Sequence, residues 1–261
     1  MLKKNKVKQI LNSGGVCFGS MLRMLHSAQT VPLSAAAGWD YVIVDMEHCD
    51  FDMETLSMLA MAAKYEELAL LVRVPDKLYH QLARPLDVGA EGLVIPRVET
   101  VEEVQQIIDS TKYFPLGRRG ASVSSVSTRF RDCDPSEFLE WSNRETLIII
   151  QIESELGVEN AESLISVDGV DGVMIGPFDL SLSMGIPGQM QHPRMVEAYQ
   201  RVIQVCGDHK VSPGIHLQSI DAVADWVDKG MRFVTYQYDA KLLLDASRVA
   251  LEQIRSITTK S

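Results

Sequence analysis

The chain has 261 residues, 46% hydrophobic and 23% charged, enough for one large α/β core and ordinary for a globular protein. A formal net charge of -10 at pH 7 argues against whole-molecule attraction to nucleic acid or anionic lipid. No apolar run approaches the roughly 20 residues that span a bilayer, so no membrane partner is expected.

The N-terminal stretch "MLKKNKVKQILNSGG" carries four lysines and lacks the apolar centre of a secretory signal. Its spacing fits a short amphipathic helix stopped by Gly14 and Gly15, with an organellar presequence as the alternative. Eight β-favouring runs follow: "VCFGSML" from Val16, "YVIVDM" from Tyr41, "LALLVRV" from Leu68, "GLVIPRV" from Gly92, "LIIIQIE" from Leu147, "GVMIGP" from Gly172, "VSPGIHL" from Val211 and "RFVTYQ" from Arg232. Their near-continuous apolar character suits strands buried on both faces. Helical periodicity separates them, as in "METLSMLAMAAK" from Met53 and "VEEVQQIIDSTK" from Val101. Eight βα units predict a (β/α)8 TIM barrel, an α/β fold in a single domain over 1–261, since no linker or composition shift divides the chain. Between the fourth and fifth strands, "FPLGRRGASVSSVSTRFRDCD" is rich in Gly, Ser and Arg. It reads as a functional loop over one barrel mouth, with a mobile connection as the alternative. Cys17, Cys49, Cys133 and Cys206 are scattered, which predicts reduced thiols in a cytoplasmic protein rather than a disulfide scaffold or a zinc site.

Barrel enzymes build their sites at the C-terminal ends of the strands. Strand two ends in Asp45, Glu47 and His48; strand three carries Arg73; strand five ends in Gln151 and Glu153; strand six runs through "GPFDLS" to Asp179. Taken singly, each has a structural alternative: an ion pair for Arg73, helix caps for Glu153 and Asp179, a hydrogen-bonded core residue for His48. Together they form a chemical kit. Glu153 and Asp179 offer hard oxygen ligands to a divalent ion, and the turn at Gly176, Pro177 and Phe178 offers amides to a carboxylate. An arginine stabilises an oxyanion and a histidine moves a proton, which suits enolate chemistry on a 2-oxo acid.

The segments "DYVIVDMEHCDFD", "LVRVP", "GLVIPRVETVEEV", "QIESELGVEN", "VDGVDGVMIGPFDLSLSMGIPGQMQHP" and the "PGI" after Val211 resemble, in order and spacing, the HpcH/HpaI family of metal-dependent pyruvate aldolases. The resemblance runs over nearly the whole chain. It implies a barrel that binds Mg²⁺, Mn²⁺ or Co²⁺ through Glu153 and Asp179, with Arg73 on the enolate oxygen and His48, oriented by Asp45, as acid and base. It further implies Gln151 beside the metal, the amides of Gly176 and Phe178 on the substrate carboxylate, and small-molecule substrates, pyruvate or another 2-oxo acid plus an aldehyde. A C-terminal helix after Asp239 that packs on a neighbouring subunit, in a homohexamer, belongs to the same expectation.

Departures cluster away from the metal. The loop reads "RRGASVSSVSTRF" where relatives carry an Ala-Arg-Ala element, which leaves contacts from Ser122, Ser124 or Arg129 open. Ser124 is kept as a substrate-binding candidate. Tyr236, Gln237 and Tyr238 stand where a small pattern is usual, strand one ends near Met21 where some relatives have tryptophan, and His216 stands where an apolar residue is usual. His216 is open between a substrate contact and a side chain facing solvent or a neighbouring subunit. The sequence therefore predicts a metal-dependent carbon–carbon lyase acting on 4-hydroxy-2-oxo acids through a pyruvate enolate. The alternatives are oxaloacetate decarboxylation, a specialised carbon–carbon bond former, or a non-catalytic 2-oxo-acid-binding barrel.

Overall fold

All eight apolar runs form strands, and the strands close on themselves. The computed structural model describes residues 2–123 and 126–258. The strands are β1 (Cys17–Leu22), β2 (Tyr41–Asp45), β3 (Ala69–Arg73), β4 (Gly92–Ile95), β5 (Leu147–Ile152), β6 (Gly172–Ile175), β7 (Ser212–Leu217) and β8 (Phe233–Tyr238). They pair in parallel in chain order, and β8 returns to β1. The helices are α1 (Lys6–Asn12), α2 (Thr30–Ala36), α3 (Met53–Ala63), α4 (Tyr79–Asp87), α5 (Val101–Thr111) and α6 (Pro135–Glu145), then α7 (Glu155–Glu159), α8 (Ala161–Ile165), α9 (Pro177–Ser183), α10 (Pro193–His209), α11 (Ile220–Asp228) and α12 (Asp239–Thr258). The predicted (β/α)8 barrel is the observed fold.

Local chemistry sets the boundaries. β4 stops at Ile95 because Pro96 has no N–H for the ladder. Asp52 caps α3 through the N–H of Thr55, and Thr100 and Glu103 form a reciprocal capping box on α5. Alternate strand residues point inward, so Cys17, Met21, Tyr41, Ile43, Leu71, Ile149, Met174 and Phe233 fill the barrel. The Tyr41 and Phe233 rings stack at 4.4 Å. Gly19 is required beside them, since a Cβ there would lie 2.2 Å from the Tyr41 ring. In β8 three residues span the interval that two span in β1, from Gly19 opposite Thr235 to Met21 opposite Tyr238. Gln237 takes a φ of 52° within this bulge, at the rim of the barrel.

α1 plugs the N-terminal end, with Val7 and Leu11 packed into the interior cluster. Its lysines are ion-pair partners: Lys8 Nζ lies 2.7 Å from Asp171 and Lys6 Nζ 3.0 Å from Asp40. The loop between α5 and α6 borders one particular end of the barrel. It follows a helix, so it starts at the N-terminal end of the strands rather than at the mouth where the chemistry lies. Arg119 bonds Asp87 at the end of α4 (2.6 Å), and Arg129 bonds the Lys64 carbonyl beyond α3 (2.7 Å). Ser124 lies outside the described residues. No helix among the described residues is long and apolar enough to cross a membrane.

Candidate active site at the C-terminal mouth

Parallel register places Asp45 beside Arg73 at the ends of β2 and β3. Asp45 is fully buried, and Arg73 holds it bidentately, Nε to Oδ1 at 2.9 Å and Nη2 to Oδ2 at 2.7 Å. Such a fork compensates two charges taken out of water. Burial pushes the Asp45 carboxyl up, but the Arg73 fork, the His48 main-chain N–H and Arg23 outweigh it and leave the group below its ordinary range.

The remaining bonds of Asp45 differ from expectation. Oδ1 accepts the main-chain N–H groups of Glu47 (3.2 Å) and His48 (3.4 Å), so the carboxylate shapes the turn after β2. The His48 ring faces Glu47 instead, with Nε2 3.7 Å from Oε2. Glu47, its side chain 8% exposed, also meets Arg73 Nη1 at 3.4 Å and Arg97 Nε at 3.5 Å. Burial chiefly raises its carboxyl, against the pull of Arg73. Asp45 thus orients Arg73, and Glu47 stands where Asp45 was expected to stand beside the histidine.

Across the mouth, Glu153 is 5% exposed. Its Oε1 accepts the Arg97 main-chain N–H at 2.8 Å and its Oε2 accepts from Gln151 Nε2. Burial above all, and then the neighbouring carboxylates Asp179 and Glu47, push it up to about 7 against the Gln151 hydrogen bond. Asp179 stands exposed in the first turn of α9. A Cβ on Gly176 would lie 2.5 Å from Glu153 Oε2 and 2.9 Å from Gln151 Nε2, so glycine keeps this pocket open. The Gly176 amide does not face the site: it donates to the Ile152 carbonyl at 3.2 Å in continuation of the ladder. The amides without an acceptor in α9 are those of Phe178 and Asp179, in the helix's first turn.

Among the described residues no three of His, Cys, Asp and Glu converge on one point. The donors that do converge are two carboxylates. Beside them Gln151 Oε1 is buried without a partner. This set fits a hard divalent cation that keeps several positions for water or substrate. Glu47, His48, Arg97, Glu153 and Asp179 line one cavity of about 580 Å³, together with Asp76, Lys77, Glu99 and Ser154.

Sequence reading passed over Arg23 and Arg97. Arg23 lies 3.3 Å from Asp45 Oδ2, directly after β1, and the strand-end logic applied to the other strands would have found it. Arg97 takes a φ of 54°, an orientation that only the fold reveals. His216 resolves inward: its β7 position pairs with Thr235, its Nε2 is sealed from water without a partner, and Arg73, Arg23 and Asp45 act on it electrostatically.

A closed parallel barrel with an arginine-locked carboxylate and paired acidic groups at its C-terminal mouth defines a class of barrel enzymes. The HpcH/HpaI aldolase/citrate lyase family matches residues 22–246. A 5-keto-4-deoxy-D-glucarate aldolase of Klebsiella pneumoniae is 35% identical over 94% of each chain, and a hydroxypyruvate/pyruvate aldolase of Roseobacter denitrificans is 30% identical over the same shares. The crystal structure of an HpcH/HpaI aldolase from Desulfitobacterium hafniense superposes with a TM-score of 0.90 at 33% identity, covering 95% of this chain and 96% of that one. The chain therefore belongs to the HpcH/HpaI aldolase/citrate lyase family, a carbon–carbon lyase of the aldolase type. Membership implies a divalent metal ion and small-molecule substrates.

Proposed function

We propose that the mouth makes or cleaves 4-hydroxy-2-oxo acids through the enolate of pyruvate or a close 2-oxo acid, with an aldehyde as the second substrate. The observation that carries this reading is the buried Glu153 sharing one cavity with Asp179, while the Arg73 fork is locked beside them by Asp45. A divalent ion held there would supply Lewis acidity toward a 2-oxo acid. The oxygen donors suit Mg²⁺ or Mn²⁺, and the family resemblance admits Co²⁺.

The chain's residues divide the remaining work. Glu153 and Asp179 would hold the ion, and Gln151 bonds Glu153 and fixes its rotamer. Arg73, already oriented, stabilises negative charge as it grows on the enolate oxygen. The amides of Phe178 and Asp179 receive the substrate carboxylate, and Gly176 supplies the room. His48, half-exposed and leaning on Glu47, takes the C4 hydroxyl proton in cleavage and returns it in synthesis. α12 exposes Leu243, Leu244, Val249, Leu251, Ile254 and Ile257, which supports its packing on a second copy, the hexamer itself being what the family resemblance implies. The unpaired thiols support a cytoplasmic location.

Deuterium exchange into the methyl group of pyruvate, followed by proton NMR, tests the reading. The metal-loaded enzyme should exchange, EDTA should stop it, and Glu153→Ala should lower it by at least about 10³-fold with little change in melting temperature. Unchanged exchange in that variant sinks the metal assignment. Pyruvate release from oxaloacetate but not from a 4-hydroxy-2-oxo acid would replace the aldolase reading by a decarboxylase.

A further inference from the structure

One arginine at the mouth is held in place without being used up. The turn after β1 is tied to the start of α12, because Asp239 accepts the main-chain N–H groups of Arg23 (3.1 Å), Met24 (3.0 Å) and Leu25 (2.8 Å). The Arg23 side chain is then fixed on two sides. Its Cζ lies 5.0 Å from the centre of the Tyr238 ring, and its Nε lies 3.3 Å from Asp45 Oδ2 and 3.4 Å from Cys49 Sγ. Neither Nη atom has an acceptor among the described residues, and the side chain remains 34% exposed.

Charge balance sharpens the point. Asp45 is already matched by the bidentate Arg73, so one carboxylate stands between two guanidinium groups. Glu47 meets Arg73 Nη1 as well, so the two guanidinium groups of the β1–β3 side face two carboxylates and what stays open there is the Arg23 fork, while Glu153 and Asp179 make the β5–β6 side acidic. A pre-oriented guanidinium with two open N–H edges matches a carboxylate better than any neutral group, because the fork geometry is set before binding. A 2-oxo acid engaged by Glu153, Asp179 and Arg73 leaves the Arg23 side for its reaction partner.

We propose that Arg23 selects the second substrate, and that this aldehyde bears a carboxylate received by the two Nη atoms. The inference rests on the aldol reading of the mouth. Arg23 is a specificity-determining residue in this assignment, distinct from the groups that handle the enolate.

The test compares kcat/KM for glyoxylate and for glycolaldehyde, each with pyruvate, in the full-length metal-loaded enzyme. The two aldehydes are close in size and differ in charge, and the comparison between variants cancels their intrinsic reactivity. Arg23→Met should lower the glyoxylate-to-glycolaldehyde ratio by at least about 10-fold, and Arg23→Lys should retain part of it because charge survives without the fork. Added salt should lower the ratio in the parent enzyme. An unchanged ratio, or an equal loss on both aldehydes, overturns the assignment and leaves Arg23 as a support for Asp45. Should Arg23→Met fail to fold, a full ratio in Arg23→Lys together with a salt-insensitive parent overturns it as well. Absence of methyl exchange in the parent enzyme defeats the aldol reading itself, whereas exchange with an unchanged ratio defeats only the role of Arg23.

Discussion

The two ends of the barrel contain the same kinds of ionic residues and use them differently. At the N-terminal end, Lys64, 3% exposed, meets Glu91 at 3.3 Å. Lys3 Nζ donates to the carbonyls of Ala63, Glu66 and Leu68. Lys112 Nζ donates to those of Asn143 and Thr146, although burial pulls its pKa down to about 8. The cavity there is about 20 Å³, room for about one water. Charges at this end have partners supplied by the chain, Arg119 included through Nη2 on Asp87, although its Nε is buried without one among the described residues. At the C-terminal mouth, Glu47, Glu153 and Asp179 crowd a cavity of about 580 Å³. Gln151 Oε1, His216 Nε2 and Gln237 Oε1, on β5, β7 and β8, are buried without partners among the described residues. Unmet polar groups beside mutually repelling carboxylates are costly by themselves and useful when a cation and an anionic substrate arrive. The difference between a structural and a functional ionic cluster therefore lies in whether the chain itself closes the charge balance.

The strongest way to break this contrast is Asp45→Ala, which strands Arg73 in the wall of the mouth. Stability should fall by roughly 3–5 kcal/mol in urea denaturation, with turnover largely lost. A loss under about 1 kcal/mol would show that the fork holds little.

His216 offers a pH test. Burial, reinforced by Arg73 and Arg23 and opposed by Asp45, pushes its pKa down to about 4. The unfolded chain binds the proton near pH 6.5, so its stabilising effect is present above that value and is lost as pH falls toward 4. The slope should amount to roughly 3 kcal/mol over that window and should shrink in His216→Leu. An identical slope in both proteins would place the titration elsewhere.

Glu47→Gln addresses the histidine. Turnover should drop about 10-fold with little effect on stability, because the His48 ring loses its charged neighbour. Full turnover in this variant would return that role to Asp45. The smallest effect is expected at the opposite end. Replacing Lys64 by Met and Glu91 by Leu together should leave stability within about 2 kcal/mol and turnover within about twofold, since a buried pair exchanged for apolar groups is often neutral and Lys3, which also meets Glu91 at 3.5 Å, keeps its three carbonyl acceptors. A large fall in turnover would show that the two ends are coupled.

Much of this was legible before folding. The strands announced themselves because parallel strands covered by helices on one face and filled inside are apolar throughout, and the polar residues at their ends stood out against that background. Glu153, Asp179 and Arg73 were found by that contrast, and the structure brings them to one mouth. Partner choice was less accessible. Asp45 and Glu47 are both near His48 in sequence, and only the turn after β2, pulled in by Asp45 Oδ1, turns the ring toward Glu47. Gly176 was read as an amide donor, but the β5–β6 ladder continues one residue further and takes that amide. The loop from Phe114 onward looked functional by composition, yet composition carries no information on which end of the barrel a connection occupies.

The sequence by itself determined the alternation of elements, the closure into a barrel and the set of ionisable strand ends, because these depend on local periodicity and on short-range chemistry. Tertiary structure alone decided which polar groups meet: Arg73 with Asp45, the His48 ring beside Glu47, Glu153 with the amide of Arg97, and Arg23 with no acceptor for its Nη atoms among the described residues. Those pairings depend on strand register and barrel curvature, which set distances between residues far apart in the chain, and Coulomb and hydrogen-bond energies change steeply over such distances.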